Sequence, residues 1–188
     1  MPALADVHVM INHFPVILAV VGTFFAVVAL FVKRRAVWQY ATATLFLAGL
    51  AVVPTFFTGD PAEEGLRDAW WISRRAIHTH EQAADFGLWA LIITGLVAAY
   101  AWWRLRAPRP LAPSTGEPGT MWGAPLLPTW LRILVVVLGL WSTAVMFRVA
   151  QLGGDIAHHS TILQTTPRPA GVPEQGPPGR SPKLTTFA

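Results

Sequence analysis

Four long apolar stretches dominate this chain, running from about Phe14 to Val32, Val37 to Phe57, Ala83 to Trp103 and Trp130 to Phe147. Each is close to the roughly 20 residues that a helix needs to cross about 30 Å of hydrocarbon. The composition agrees, because 53% of the 188 residues are hydrophobic and 13% charged, whereas about a quarter of a soluble domain carries charge. The fold expected is all-α: a polytopic membrane protein built as a four-helix transmembrane bundle, with helices at about 7–33, 37–58, 73–104 and 129–152. The sequence contains no cysteine, so disulfides, thiolate metal sites and iron–sulfur clusters are excluded and any metal must be held by nitrogen and oxygen ligands.

Orientation is read from the basic residues. The first segment has Asp6 before it, lacks a basic leader and is followed by Lys33-Arg34-Arg35, a stop-transfer pattern rather than a cleaved signal. Arg104, Arg106 and Arg109 follow the third segment and Arg132 begins the fourth. The positive-inside rule then places both connections in the cytoplasm and both termini outside. Arg67, Arg74 and Arg75 on the opposite side oppose this assignment, although Asp60, Glu63, Glu64 and Asp68 lie among them. Trp38, Tyr40, Tyr100, Trp102, Trp103 and Trp130 collect at the basic end, as an interfacial aromatic belt would. The excess positive charge reflects these anchors rather than a nucleic-acid surface, since no basic stripe is interleaved with aromatics in a soluble region. The lipid bilayer is the expected partner.

The connections have their own signals. In Thr58-Gly59-Asp60-Pro61-Ala62-Glu63-Glu64, Gly59 is suited to end the second helix, while Asp60, Pro61 and Glu63 form an N-terminal capping pattern. A short helix on the outer surface is expected there, with Ser73 capping the third helix. Residues 107–129 are dense in proline and glycine and read as an irregular connection. Residues 1–164 form the transmembrane domain, and 165–188 have the composition of a disordered tail suited to docking on a partner.

The polar chemistry collects at the outer end. Counting about 1.5 Å per helical residue from the basic anchors, His8 lies roughly 37 Å from Lys33, and His78 and His158 each lie roughly 39 Å from Arg104 and Arg132. His13 and Asp85 fall in a second layer roughly 28–30 Å out, with Glu81 between the two layers. His78, Glu81, Gln82 and Asp85 share a helix face from which His80 points away, and Asp155 stands one turn before His158 and His159. His8 shares a face with Asn12, while His13 is rotated by about 140° from His8. The set His8, His13, His78 and His158 is therefore a candidate cofactor site. Glu81, Asp85, Asp155 and His159 extend it to a mixed His/carboxylate metal site, with the acids as ligands or as orienting partners.

Plainer roles compete at each position. A histidine here can simply be a wet interfacial residue, and His13, expected to be buried before Phe14-Pro15, can be a structural clamp. Asp60 suits an N-cap better than a ligand. Glu81 and Asp85 suit the dipole of a helix start without any metal, and Arg148 is placed to reach the outer headgroups.

The stretches His13-Phe14-Pro15, Thr58-Gly59-Asp60-Pro61-Ala62-Glu63-Glu64 and Ile77-His78-Thr79-His80-Glu81 resemble motifs of a family of small four-helix bacterial inner-membrane proteins catalogued as a domain of unknown function. The resemblance covers roughly residues 5 to 160. It implies a fold and a multi-pass inner-membrane location, and no activity.

Two classes of function remain open. A redox or metal-binding membrane protein would use the outer histidines, either as two axial imidazoles for haem b or as ligands to copper, zinc or iron. A cofactor-free accessory subunit would brace a larger membrane complex. Transport is disfavoured because the middle of each apolar stretch contains no charged residue, Asp85 and Arg132 standing near the ends of theirs. Enzyme activity of the chain alone is not expected, since Ser73, Ser142 and Ser160 have no elbow or triad setting.

Overall fold

A computed structural model describes residues 4–32, 34–64, 73–106 and 127–164, and side chains at all of these except 4–6, 9, 60–64 and 157–164. Within them the chain is helical: α1 (Leu4–Ile11), α2 (His13–Val32), α3 (Arg35–Glu64), α4 (Arg74–Arg106) and α5 (Thr129–Gln164). The last four are long and apolar enough to cross a membrane.

These four helices form a closed ring in which α2 touches α3 and α5, and α4 touches α3 and α5. Neighbours run antiparallel: Gly22 and Phe25 of α2 meet Leu45 and Tyr40 of α3, Gly49 and Arg35 of α3 meet Gly95 and Leu105 of α4, and Gly87 and Thr94 of α4 meet Met146 and Leu138 of α5. One end of the bundle therefore gathers the start of α2, the end of α3, the start of α4 and the end of α5. This is the histidine end. The opposite end carries Arg34, Arg35, Arg104, Arg106 and Arg132.

The interior is built from small side chains. Ala19, Ala26, Ala29, Ala41, Ala48, Ala98 and Ala101 are fully buried, with Leu45, Leu91, Leu105, Leu131 and Val135 filling the space between them. Larger residues such as Phe24, Phe31, Trp89, Leu96, Trp141 and Phe147 face outward. Small interfacial residues let helix backbones approach when the surrounding medium is itself apolar, because association then relies on packing. A close backbone approach joins α3 to α4: a Cβ built at Gly49 would lie 2.8 Å from the Leu91 carbonyl oxygen and 3.0 Å from the Gly95 Cα. Buried hydroxyls are satisfied by the preceding turn, Thr42 donating to Trp38 O at 2.7 Å and Thr94 to Ala90 O at 2.7 Å. Thr23 and Thr143 bond to each other across α2 and α5 at 3.0 Å.

Three expected helix boundaries are corrected. The first helix, expected over about 7–33, is divided at Asn12 into α1 and α2. Pro15 has no N–H, so the Ile11 carbonyl loses its intrahelical donor; the Thr55 hydroxyl stands 3.5 Å from that oxygen. The second helix does not stop at Gly59, because α3 continues through Asp60 and Pro61 to Glu64. Here α1 packs along the end of α3 and the His8 ring lies over Gly59, so tertiary packing outweighs the local stop signal. No separate outer helix begins at Asp60, and residues 65–72, where the rest of that expectation falls, lie outside the described residues. The last helix, expected to end near 152, continues through Gly153-Gly154 to Gln164. Ser73 does precede α4 as expected, its carbonyl accepting from the N–H groups of Ala76 and Ile77. The connection at 107–126 and the tail at 165–188 lie outside the described residues.

The crossing at Gly49 yields a direct test. Gly49→Val places side-chain atoms where the α4 backbone stands and should lower stability by about 1–3 kcal/mol, read as a fall in thermal midpoint in detergent. Gly154→Ala, at a position with open space, should be neutral or stabilising by up to about 1 kcal/mol.

Candidate functional site at the histidine end

The break before Pro15 allows α1 to lie against α3 and brings His8 onto it. The Nδ1 of His8 is 3.1 Å from the Thr55 carbonyl oxygen and 3.1 Å from the Thr58 hydroxyl. A carbonyl can only accept, so the Thr55 contact requires the proton on Nδ1 and leaves the Nε2 lone pair available. The ring rests on Gly59, where a Cβ would lie at ordinary van der Waals distance, 3.5 Å from the His8 Cε1. Asn12, one turn later, has its Oδ1 buried without a partner.

The second inward-facing histidine is His80, not His78. Its ring lies on Gly153 of α5, where an added Cβ would be 3.2 Å from the His80 Cε1. His8 on α1 and His80 on α4 both lie at the histidine end of the bundle, each packed on a glycine of another helix. The His80 Nδ1 is buried with no partner in hydrogen-bonding geometry. The reason lies in α4: Ile77, Gly87, Leu91, Thr94, Ala98, Ala101 and Leu105 are its buried stripe, and His80 and Ala84 continue the same alternation of three- and four-residue steps. That spacing is present in the sequence, but the acidic i, i+3, i+4 and i+7 pattern beside it drew the expectation to the opposite face.

The other expected site residues do not join this pair. His78, with a side chain 70% exposed, pairs with Glu81 at 3.4 Å and with Gln82 at 3.2 Å on the outer face of α4. The shared face predicted for these residues exists and points away from the bundle. His13 is exposed rather than buried against the helices, as are Asp85 and Asp155. His158 and His159 lie in α5, with side chains outside those described. Among the described residues no group of three or more His, Asp and Glu is placed to hold a metal ion. The convergence expected of His8, His13, His78, Glu81 and His158 is corrected for the described side chains: His13 and His78 are exposed, Glu81 pairs with His78, and His8 and His80 are the half-buried histidines of this end.

Imidazoles at this end of the bundle, one of them oriented by a backbone carbonyl, have the chemistry to ligate a metal or to relay a proton. Comparison with protein-family models, curated proteins and solved structures finds no match.

The glycine under His80 is the residue to change. Gly153→Val should displace the ring and lower stability by about 1–3 kcal/mol. In the folded variant, a histidine ring resonance that is protected in the parent should become solvent-exposed by NMR. An unchanged ring environment would show that His80 does not rest on α5.

Proposed function

We propose that this chain is an integral protein of a bacterial inner membrane whose outward-facing histidine end binds a redox-active metal, with haem iron the occupant best suited to His8 and His80. The membrane placement is supported by the apolar outward faces of α2 to α5. The inner-membrane location follows the motif resemblance, and the positive-inside rule puts the Arg35, Arg104, Arg106 and Arg132 end in the cytoplasm.

The observation that carries the metal reading is the orientation of His8. Metal-binding histidines almost always have their second ring nitrogen tied to a carbonyl or carboxylate, and the Thr55 carbonyl meets that requirement. The buried, unpartnered Nδ1 of His80 at the same end supplies a second nitrogen. Zinc would require three or four protein ligands, whereas haem iron would need only two, which His8 and His80 would supply. Haem so held would support one-electron transfer at the outer surface. The work of this chain is to present two neutral imidazoles, fix the tautomer of one and shield the other from water.

The test is purification in mild detergent followed by an absorbance spectrum and elemental analysis. A Soret band is expected, lost in His8→Ala and His80→Ala but kept in His13→Ala and His78→Ala. Binding should weaken in acid, because protonation removes the ligand lone pair. Protein with neither a haem band nor bound iron, copper or zinc would refute this reading and leave the cofactor-free accessory subunit of a larger membrane complex.

A further inference from the structure

The opposite end of the bundle has a different chemistry. Arg35 opens α3, Arg104 and Arg106 close α4, and Arg132 lies in the first turn of α5. The described partners of these four are neutral: Arg35 donates to the Leu105 carbonyl, Arg104 bonds the Tyr100 hydroxyl at 3.1 Å, and Arg132 donates to the Thr129 hydroxyl at 2.9 Å. Arg106 lies 4.4 Å from the Trp102 ring centre. The acidic side chains that the structure describes, Glu81, Asp85 and Asp155, are all at the histidine end. The basic end therefore concentrates positive charge with no carboxylate among its described residues.

Two further donors at this end lack acceptors. Trp38 is fully buried with its indole Nε1 unpartnered, and the Nε of Arg132 is buried and likewise unpartnered. Trp38 of α3 belongs to one packed cluster with Leu105 of α4 and with Leu127 and Leu131, and Arg132 follows Leu131 in the first turn of α5. Buried N–H groups without an acceptor are rare in folded proteins. The surface at this end is apolar: Trp103 on α4 and Trp130, Ile133 and Val137 on α5 are all more than half exposed. An acceptor-rich anion joined to hydrocarbon matches both features, which a free anion would not.

We infer that the basic end binds an anionic phospholipid, its phosphodiester accepting from Arg132 and adjacent arginines and its acyl chains lying along the face of Trp130, Ile133 and Val137. Basic pockets between membrane helices recognise such headgroups by charge and by hydrogen bonding. The inference rests on the membrane placement proposed above and is independent of what His8 and His80 hold.

The experiment uses the full chain in detergent and reads the thermal midpoint after adding phosphatidylglycerol, phosphatidylcholine with the same acyl chains, or inorganic phosphate. Phosphatidylglycerol should raise the midpoint by roughly 3 °C or more beyond phosphatidylcholine, and phosphate should leave it unchanged. Arg132→Gln should remove at least half of that increment, and the double variant Arg104→Gln/Arg106→Gln should do the same. Arg148→Gln, at the histidine end, should retain it. Each increment is read against the variant's own lipid-free midpoint, so a less stable variant still reports, and the double variant carries the test if Arg132→Gln does not fold. Equal effects of the two lipids, an effect of phosphate alone, or an increment undiminished by the basic-end variants would overturn the inference.

Discussion

The backbone contact between α3 and α4 at Gly49 and Gly95 governs much of what the bundle does. With 3.0 Å between the Gly95 Cα and a Cβ built at Gly49, neither helix can rotate without opening the seam. Fixing Gly95 and Leu91 toward α3 fixes every other residue of α4 by helical geometry. His80, eleven residues before Leu91, returns to within about 20° of the same direction, whereas His78 is displaced by about 140°. A contact between two small residues near the middle of the molecule thus decides which imidazole faces inward at its end.

The same use of small residues recurs at the histidine end, where glycines make room for rings rather than for backbones. Gly59 lies under His8 and Gly153 under His80, so each imidazole is seated on a different helix from the one that carries it. His8 comes from α1, which exists as a separate element because Pro15 cannot donate to Ile11. The hydrogen bond from His8 to the Thr55 carbonyl then ties α1 to α3. The result is a molecule polarised along its axis, with imidazoles and carboxylates at one end and arginines with aromatic rings at the other.

Much of this was legible in the sequence. Four apolar runs of spanning length gave the number, order and approximate limits of the long helices, and the arginines and tryptophans gave the basic end. The depth count correctly put His8 and the histidines at the start of α4 at one end of the bundle. Helix rotation was harder to read. His78, Glu81, Gln82 and Asp85 do form a face, but carboxylates and amides at that spacing suit an exposed face as well as a site, and only the packing of Gly87, Leu91 and Gly95 shows which face is inside. Gly59-Asp60-Pro61 carries a local stop signal that α3 runs through, with α1 packed along it and the His8 ring resting on Gly59. Such a contact joins residues far apart in the chain, and no local pattern encodes it.

The rotation of α4 is the claim on which the site depends, and cysteine scanning measures it most directly. Single cysteines at residues 77 to 87 of the folded protein in detergent, treated with a water-soluble maleimide, should react fast at 78, 82 and 85 and slowly at 77, 80, 84 and 87. Fast reaction at 80 with protection at 78 would contradict the account, because His80 would then face outward and could not share a site with His8.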